Sequence, residues 1–213
     1  KKYRLILLSD EIYGELNFEG NHVSIAKFYP EGTIISSGLS KWCGAGGWRL
    51  GTFNFPASLN WLLDAMASVA SETFTSTSAP IQYAAVCAFR GGIGIERYLW
   101  NSRKILKSLG FHIHKKLEKA DISAPNPEGG FYLFCNFNKH AAKLKKRGIT
   151  NSTELAQKLL EDTGVALLPG SVFGRPDDEL TTRLAYVDFD GAKALAAVET
   201  MPPHKIPDEN FLN

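Results

Sequence analysis

Lys41 lies in the run Ser36-Ser37-Gly38-Leu39-Ser40-Lys41-Trp42-Cys43-Gly44-Ala45-Gly46-Gly47-Trp48-Arg49-Leu50-Gly51, with Arg49 eight residues on. A lysine amine traps a carbonyl carbon when desolvation or neighbouring charge keeps some of it neutral, because only the neutral form attacks. Most loop lysines are simply solvated, but this one follows a strand-like apolar run and sits among small residues and Trp42. Arg49, with Trp48 and Gly51 beside it, carries the planar fork that suits a phosphate, and the glycines let backbone come close. Asp10, with Tyr13 three residues on, follows another apolar run, at the strand end where open α/β sheets place their ligands. Taken alone, an aspartate there is more often a turn or helix cap.

The elements that must hold these residues can be read from pattern. Residues 3–8 are apolar apart from Arg4, which predicts a strand buried on both faces, as in a parallel sheet. Strands are also predicted at 32–37 and 50–55. Pro56 opens a helix with Leu59, Leu62, Leu63, Met66 and Val69 at helical spacing, and Pro80 opens another. Gly91-Gly92-Ile93-Gly94 should break or kink it. From 95 to about 119 the periodicity resumes through Leu99, Ile105, Leu106, Leu109, Ile113 and Leu117. Beyond the turn at 125–130 come an aromatic strand over 131–137, a helix from Asn151 or Ser152 to Thr163 stopped by Gly164, short strands at 165–168 and 182–187, and a helix near 191–199. The tail from Met201 reads as a Pro-rich loop.

Composition narrows the function. The chain has 213 residues, 44% hydrophobic and 22% charged, which is ordinary for a globular protein. With 24 basic against 22 acidic residues its formal charge is +2, so bulk charge offers no footprint for nucleic acid or an anionic membrane. No stretch reaches the length of apolar residues a membrane span needs, and the apolar run near the start is too short for a signal peptide. The three cysteines, Cys43, Cys87 and Cys135, form no CxxC pair, which argues against a disulfide framework or structural zinc and for reduced thiols in an intracellular compartment.

Ser9-Asp10-Glu11-Ile12-Tyr13, Ser40-Lys41 with Gly47-Trp48-Arg49-Leu50-Gly51, Pro127-Glu128-Gly129-Gly130-Phe131-Tyr132, Leu168-Pro169-Gly170-Ser171-Val172-Phe173-Gly174 and Arg183-Leu184-Ala185-Tyr186 occur in this order along the chain. Together they resemble the pyridoxal-phosphate-dependent class I/II aminotransferases of fold type I. The resemblance implies that Lys41 is the catalytic lysine, holding the cofactor as a Schiff base and later moving the proton at the substrate α-carbon. It implies that Asp10 pairs with the pyridinium nitrogen, that Tyr13 hydrogen-bonds the ring 3-oxygen, and that Arg49 binds the phosphate. Ser40, directly before the lysine, belongs with these cofactor-binding residues, and Arg183 takes the substrate α-carboxylate. Gly38 departs from the pattern, since many family members have a hydroxyl residue there that contacts the phosphate.

Other parts of the family pocket precede the Asp-x-x-Tyr strand, and here Asp10 is the tenth residue. The chain therefore reads as the later part of a longer protein and is expected to be inactive alone. Several features are set aside. His112 and His114 are two apart on a helix and make a poor metal pair, so no metal ligands are assigned. The basic run 143–147 reads as a solvated face. Residues 75–78 are either an N-cap cluster or the family segment that reaches a neighbouring subunit's phosphate.

The expected fold is α/β, that of a fold-type-I transferase. A partial parallel-sheet large domain covers 1–78, an interdomain helix 79–119, and a smaller α+β domain 120–213. The expected activity is transfer of an amino group between an α-amino acid and a 2-oxo acid. The alternatives are another enzyme of this cofactor class, such as a C–S β-lyase or a cyclopropane-forming synthase, or a non-catalytic piece of the fold. A homodimer is implied, in the cytoplasm or an organelle, with no nucleic-acid or membrane partner. No arginine occurs from 52 to 86, where dicarboxylate-specific relatives carry one, and this weakens a strict aspartate specificity.

Overall fold

A computed structural model describes residues 2–202, 205 and 207. The chain divides into two compact units, one up to Trp100 and one from Asn101 on.

In the first unit, β1 (Leu7–Asp10) pairs in parallel with β2 (Thr33–Gly38), and β2 pairs antiparallel with β3 (Gly51–Asn54). The sheet is thus mixed, not wholly parallel, because residues 39–50 turn the chain straight back beside β2 instead of crossing over through a helix. β1 starts later than the sequence pattern predicts and is not buried on both faces. Leu7 and Ser9 are half-buried while Leu8 is 64% exposed, and Leu5 and Ile6 are exposed too. Among the described residues of this unit, β2 is the only strand beside β1. The core gathers Leu16, Phe18, Ile34, Leu39, Trp42 and Leu50. Two helices follow, α1 (Asn60–Thr73) and α2 (Ala79–Arg90). Of the predicted apolar stripe, Leu59 is buried, whereas Leu63 and Val69 are exposed. Ser78 occupies the N-cap of α2 without a side-chain capping bond.

Gly91 and Gly92 break the helix as the sequence predicts: both have positive φ, at 69° and 116°, which favours glycine. α3 (Ile93–Lys119) then runs from the first unit into the second. There β4 (Tyr132–Asn136), β6 (Thr181–Ala185) and β5 (Leu168–Pro169) form an antiparallel sheet in the order β4-β6-β5. α4 (Ala141–Lys145), α5 (Ser152–Thr163) and α6 (Gly191–Glu199) complete the unit. Residues 165–167 lie outside the ladder, so the strand predicted at 165–168 shrinks to two residues around Pro169, which has no N–H to extend it.

The cap of α5 follows the sequence closely. The Asn151 side chain accepts from the Glu154 N–H at 2.9 Å, and Gly164 closes the helix at φ 73°. Ile105 on α3 packs with Ala194 and Val198 of α6, and Leu155 of α5 packs with Ile149 and Leu180. His114 turns inward, where its Nε2 meets the Ala124 carbonyl at 2.9 Å. Most of the predicted Pro-rich tail lies outside the described residues. Among the described residues, no helix is long and apolar enough to cross a membrane.

Candidate active site

Parallel pairing of β1 and β2, with Asp10 opposite Ser36, brings the carboxyl ends of the two strands side by side. Asp10 and Tyr13 follow one end and Lys41 the other. Asp10 is exposed, and its Oδ1 accepts from the Ile12 N–H at 3.2 Å, the turn-stabilising bond expected of an aspartate in such a place. Tyr13 is half-buried, and the Lys41 ammonium lies 5.7 Å from the centre of its ring, within range of a cation–π contact.

Residues 39–50 form a tight loop that fixes Lys41. The Leu39 N–H donates to the Leu50 carbonyl at 3.3 Å across the neck, the Ala45 N–H to the Leu39 carbonyl at 3.1 Å, and the Gly44 N–H to the Lys41 carbonyl at 3.2 Å. Leu39 and Trp42 are buried on either side, with Trp42 edge-on to Phe89 at 5.8 Å, so Lys41 is held half-buried between two anchors beside Ser40. Arg49 leaves the loop at φ 54°, a left-handed conformation costly for a residue with a side chain. Its Nη1 donates to the Gly46 carbonyl at 2.7 Å, so the guanidinium is folded onto its own loop.

Gly38, the departure from the pattern noted in the sequence, has a steric explanation. It pairs with Gly51, and a Cβ there would stand 2.6 Å from the Leu50 carbonyl oxygen and 3.2 Å from the Gly51 Cα. Any side chain at 38 would force β2 and β3 apart.

A second cluster, which the sequence pattern does not announce, surrounds Glu11. Its carboxylate accepts from Ser24 Oγ at 2.6 Å and Ser9 Oγ at 3.1 Å, and pairs with His22 Nε2 at 3.0 Å. Burial opposes ionisation of this carboxyl, but the hydrogen bonds from Ser24, His22 and Ser9 outweigh it and hold Glu11 below its ordinary value. Gly14 makes room for the imidazole, since a Cβ there would stand 2.8 Å from the ring. Sequence reasoning passes over Glu11 because its partners are up to thirteen residues away. The available signal is the pairing of an acid beside Asp10 with His22 and Ser24 just downstream. Glu11, Ser37 and Trp42 also line one half-open cavity of about 220 Å³.

Arg183 belongs to the second unit. On β6 it stands opposite Phe134 of β4 and Leu168 of β5. Its guanidinium carbon lies 4.2 Å from the centre of the Tyr132 ring and 4.6 Å from that of Phe173. Both rings are thus within range of a cation–π contact with the guanidinium. On the opposite side of β6, the Thr182 hydroxyl is buried and finds no hydrogen-bond partner among the described residues.

Chemically the donor set suits pyridoxal phosphate: a primary amine held half-buried, a phenol against it, a carboxylate at the adjoining strand end and a guanidinium on the same loop. Among the described residues, no cluster of His, Cys, Asp and Glu could hold a metal ion.

Residues 1–196 match the family model described as "Aminotransferase class I and II". The chain is 34% identical over 201 residues to the aspartate aminotransferase of Geobacillus stearothermophilus, covering 92% of this chain and 47% of that relative. It is 32% identical to an asparagine–oxo-acid transaminase of Streptococcus mutans, covering 87% and 45%. Among solved structures, a double mutant of Thermus thermophilus aspartate aminotransferase superposes with a TM-score of 0.75 at 27% identity, covering 92% of this chain and 47% of that one. The aromatic aminotransferase of Pyrococcus horikoshii gives 0.75 at 28%, covering 93% and 50%. The chain spans about half the length of the curated relatives it matches.

Proposed function

The chain belongs to the class I and II aminotransferases and has the α/β fold of fold type I, and from that premise we propose that it serves a pyridoxal-phosphate-dependent transfer of an amino group between an α-amino acid and a 2-oxo acid. The observation that carries the reading is the Lys41 ammonium 5.7 Å from the Tyr13 ring, beside the carboxyl ends of two paired parallel strands.

Bound pyridoxal phosphate supplies an electron-withdrawing ring that stabilises negative charge at the substrate α-carbon. Lys41 would hold it through its amine and move the proton at the α-carbon. Asp10 would keep the ring nitrogen protonated, which is what gives the ring its withdrawing power. Tyr13 would donate to the ring oxygen. Arg49 and Ser40 would take the phosphate, Arg49 by turning its guanidinium off the Gly46 carbonyl. Arg183, whose guanidinium lies beside the Tyr132 and Phe173 rings, would grip the substrate carboxylate through two parallel N–H bonds.

Aspartate is the first amino donor to test, because several relatives carry that activity in their names. The absence of arginine from 52 to 86 favours a substrate range beyond it. A homodimer is the proposed assembly, by likeness to the family. Three cysteines without a disulfide suit a reducing compartment such as the cytoplasm.

The test is direct. Adding pyridoxal phosphate to the full-length protein should raise an absorbance band at the edge of the visible, absent in Lys41→Ala. Incubation with aspartate and 2-oxoglutarate, or with other amino acids, should yield a new amino acid. Pyruvate with ammonia would instead mark a β-lyase, and no band in the wild-type protein would overturn the reading.

A further inference from the structure

Glu11 stands between Asp10 and the turn that carries Tyr13, and its side chain is only 12% exposed. Its backbone continues the β1–β2 ladder, with the Glu11 N–H donating to the Ser36 carbonyl at 2.8 Å. Its carbonyl accepts from the Gly14 N–H at 2.9 Å and so closes the turn around Tyr13. The side chain reaches the other way, to Ser9 within β1 and to His22 and Ser24 beyond the turn. Ser24 is itself fixed, since its Oγ accepts from the Ala26 N–H at 3.1 Å while donating to Glu11. The carboxylate thus ties the strand end to the segment beyond the turn, while the backbone of the same residue closes the turn, and Glu11 lines the cavity that also reaches Ser37 and Trp42 next to Lys41.

We propose that Glu11, gripped by Ser9, His22 and Ser24, is a positioning residue that fixes where the Asp10 carboxylate and the Tyr13 phenol stand beside Lys41. The inference rests on the cofactor roles proposed above for Asp10 and Tyr13. Charge suits Glu11 to this role. An ionised carboxylate accepts from several donors at once, which a neutral amide of the same shape cannot, because half of it donates. A precise acid and phenol matter because small misplacements of such groups are costly.

Full-length wild type, Glu11→Gln, His22→Ala and Asp10→Asn are titrated with pyridoxal phosphate, and amide hydrogen exchange is followed in the cofactor-free proteins. Glu11→Gln should speed exchange of the Ile12 and Gly14 amides and weaken cofactor binding by about ten-fold, the scale of one lost hydrogen bond to a charged group. Ile34 and Ile35 on β2 should keep their wild-type protection. His22→Ala removes a partner that is 40% exposed, and it should act in the same direction by about three-fold. It serves if Glu11→Gln does not fold. Wild-type exchange at Ile12 with wild-type affinity would overturn the proposal. So would a uniform rise in exchange across the unit, the mark of a merely structural residue. Failure of the cofactor reading looks different: wild type binds no cofactor, or Asp10→Asn binds as wild type does, whatever Ile12 reports.

Discussion

The Lys41 ammonium lies 5.7 Å from the centre of the Tyr13 ring, beside the paired ends of β1 and β2, and the two form the centre of the proposed site. If the lysine acts as a nucleophile, its charge alone cannot replace it. Lys41→Arg keeps a cation over the ring yet should behave like Lys41→Ala, with transamination lower by about three orders of magnitude or more. Borohydride reduction of the loaded wild type followed by peptide mapping should place the label on Lys41, and both variants should stay unlabelled.

Arg183 tests the substrate end. Its guanidinium lies within cation–π range of Tyr132 and Phe173, and lysine has no planar fork to offer in its place. Arg183→Lys should raise KM for the amino acid by about 10- to 100-fold, the loss of a bidentate charged pair. Phe173→Leu should raise it by only about three-fold, since the fork survives and one cation–π face is lost. Steady-state kinetics with wild-type cofactor affinity as the control separates the two.

Gly38→Ala places a methyl 2.6 Å from the Leu50 carbonyl oxygen, and backbone on both strands must yield. A loss of about 1–3 kcal/mol is expected, seen as a lower thermal and urea midpoint. Gly47→Ala meets nothing within 4 Å and should leave the midpoint nearly unchanged.

The thiols should react in a set order. Cys87 is exposed, Cys43 is half-buried with its thiol pushed up by burial, and Cys135 is fully buried with its thiol pushed up to about 11. Since the thiolate is the reactive form, a disulfide reagent at pH 8 should label Cys87 first and Cys43 slowly, with Cys135 labelled only on unfolding. Cys87→Ser should remove the fast phase.

Acid should loosen the first unit through Glu11. Burial raises its pKa, but hydrogen bonds from Ser24, His22 and Ser9 more than offset this, and the net value falls below the ordinary 4.5. A carboxyl whose folded value is depressed contributes stability that is fully present above pH 4.5 and lost as pH falls through the folded value. Glu11→Gln should therefore lower stability at neutral pH and flatten its decline below pH 4.5, read by denaturant melts across that range.

Much was legible in the sequence where neighbours close in the chain decide the outcome. Asn151 capping and Gly164 stopping α5, and the break at Gly91 and Gly92, rest on contacts within a few residues. The same local reading misjudged β1. Runs of apolar residues show that a segment prefers burial but not which neighbour covers it, and Leu8 is exposed. It missed α4, a helix of five residues too short to show a period.

The family resemblance was readable in the sequence from five ordered motifs, among them those holding Asp10, Tyr13, Lys41, Arg49 and Arg183, because each motif is a run of neighbouring residue types. Folding in three dimensions settled that β3 runs antiparallel, that Leu50 forbids a side chain at 38, that Tyr132 and Phe173 come within cation–π range of Arg183, and that Ser24 and His22 close on Glu11. Each of these is a meeting of residues from separate segments. A linear chain encodes such meetings only through the combined packing of all its elements, so no local rule reads them out.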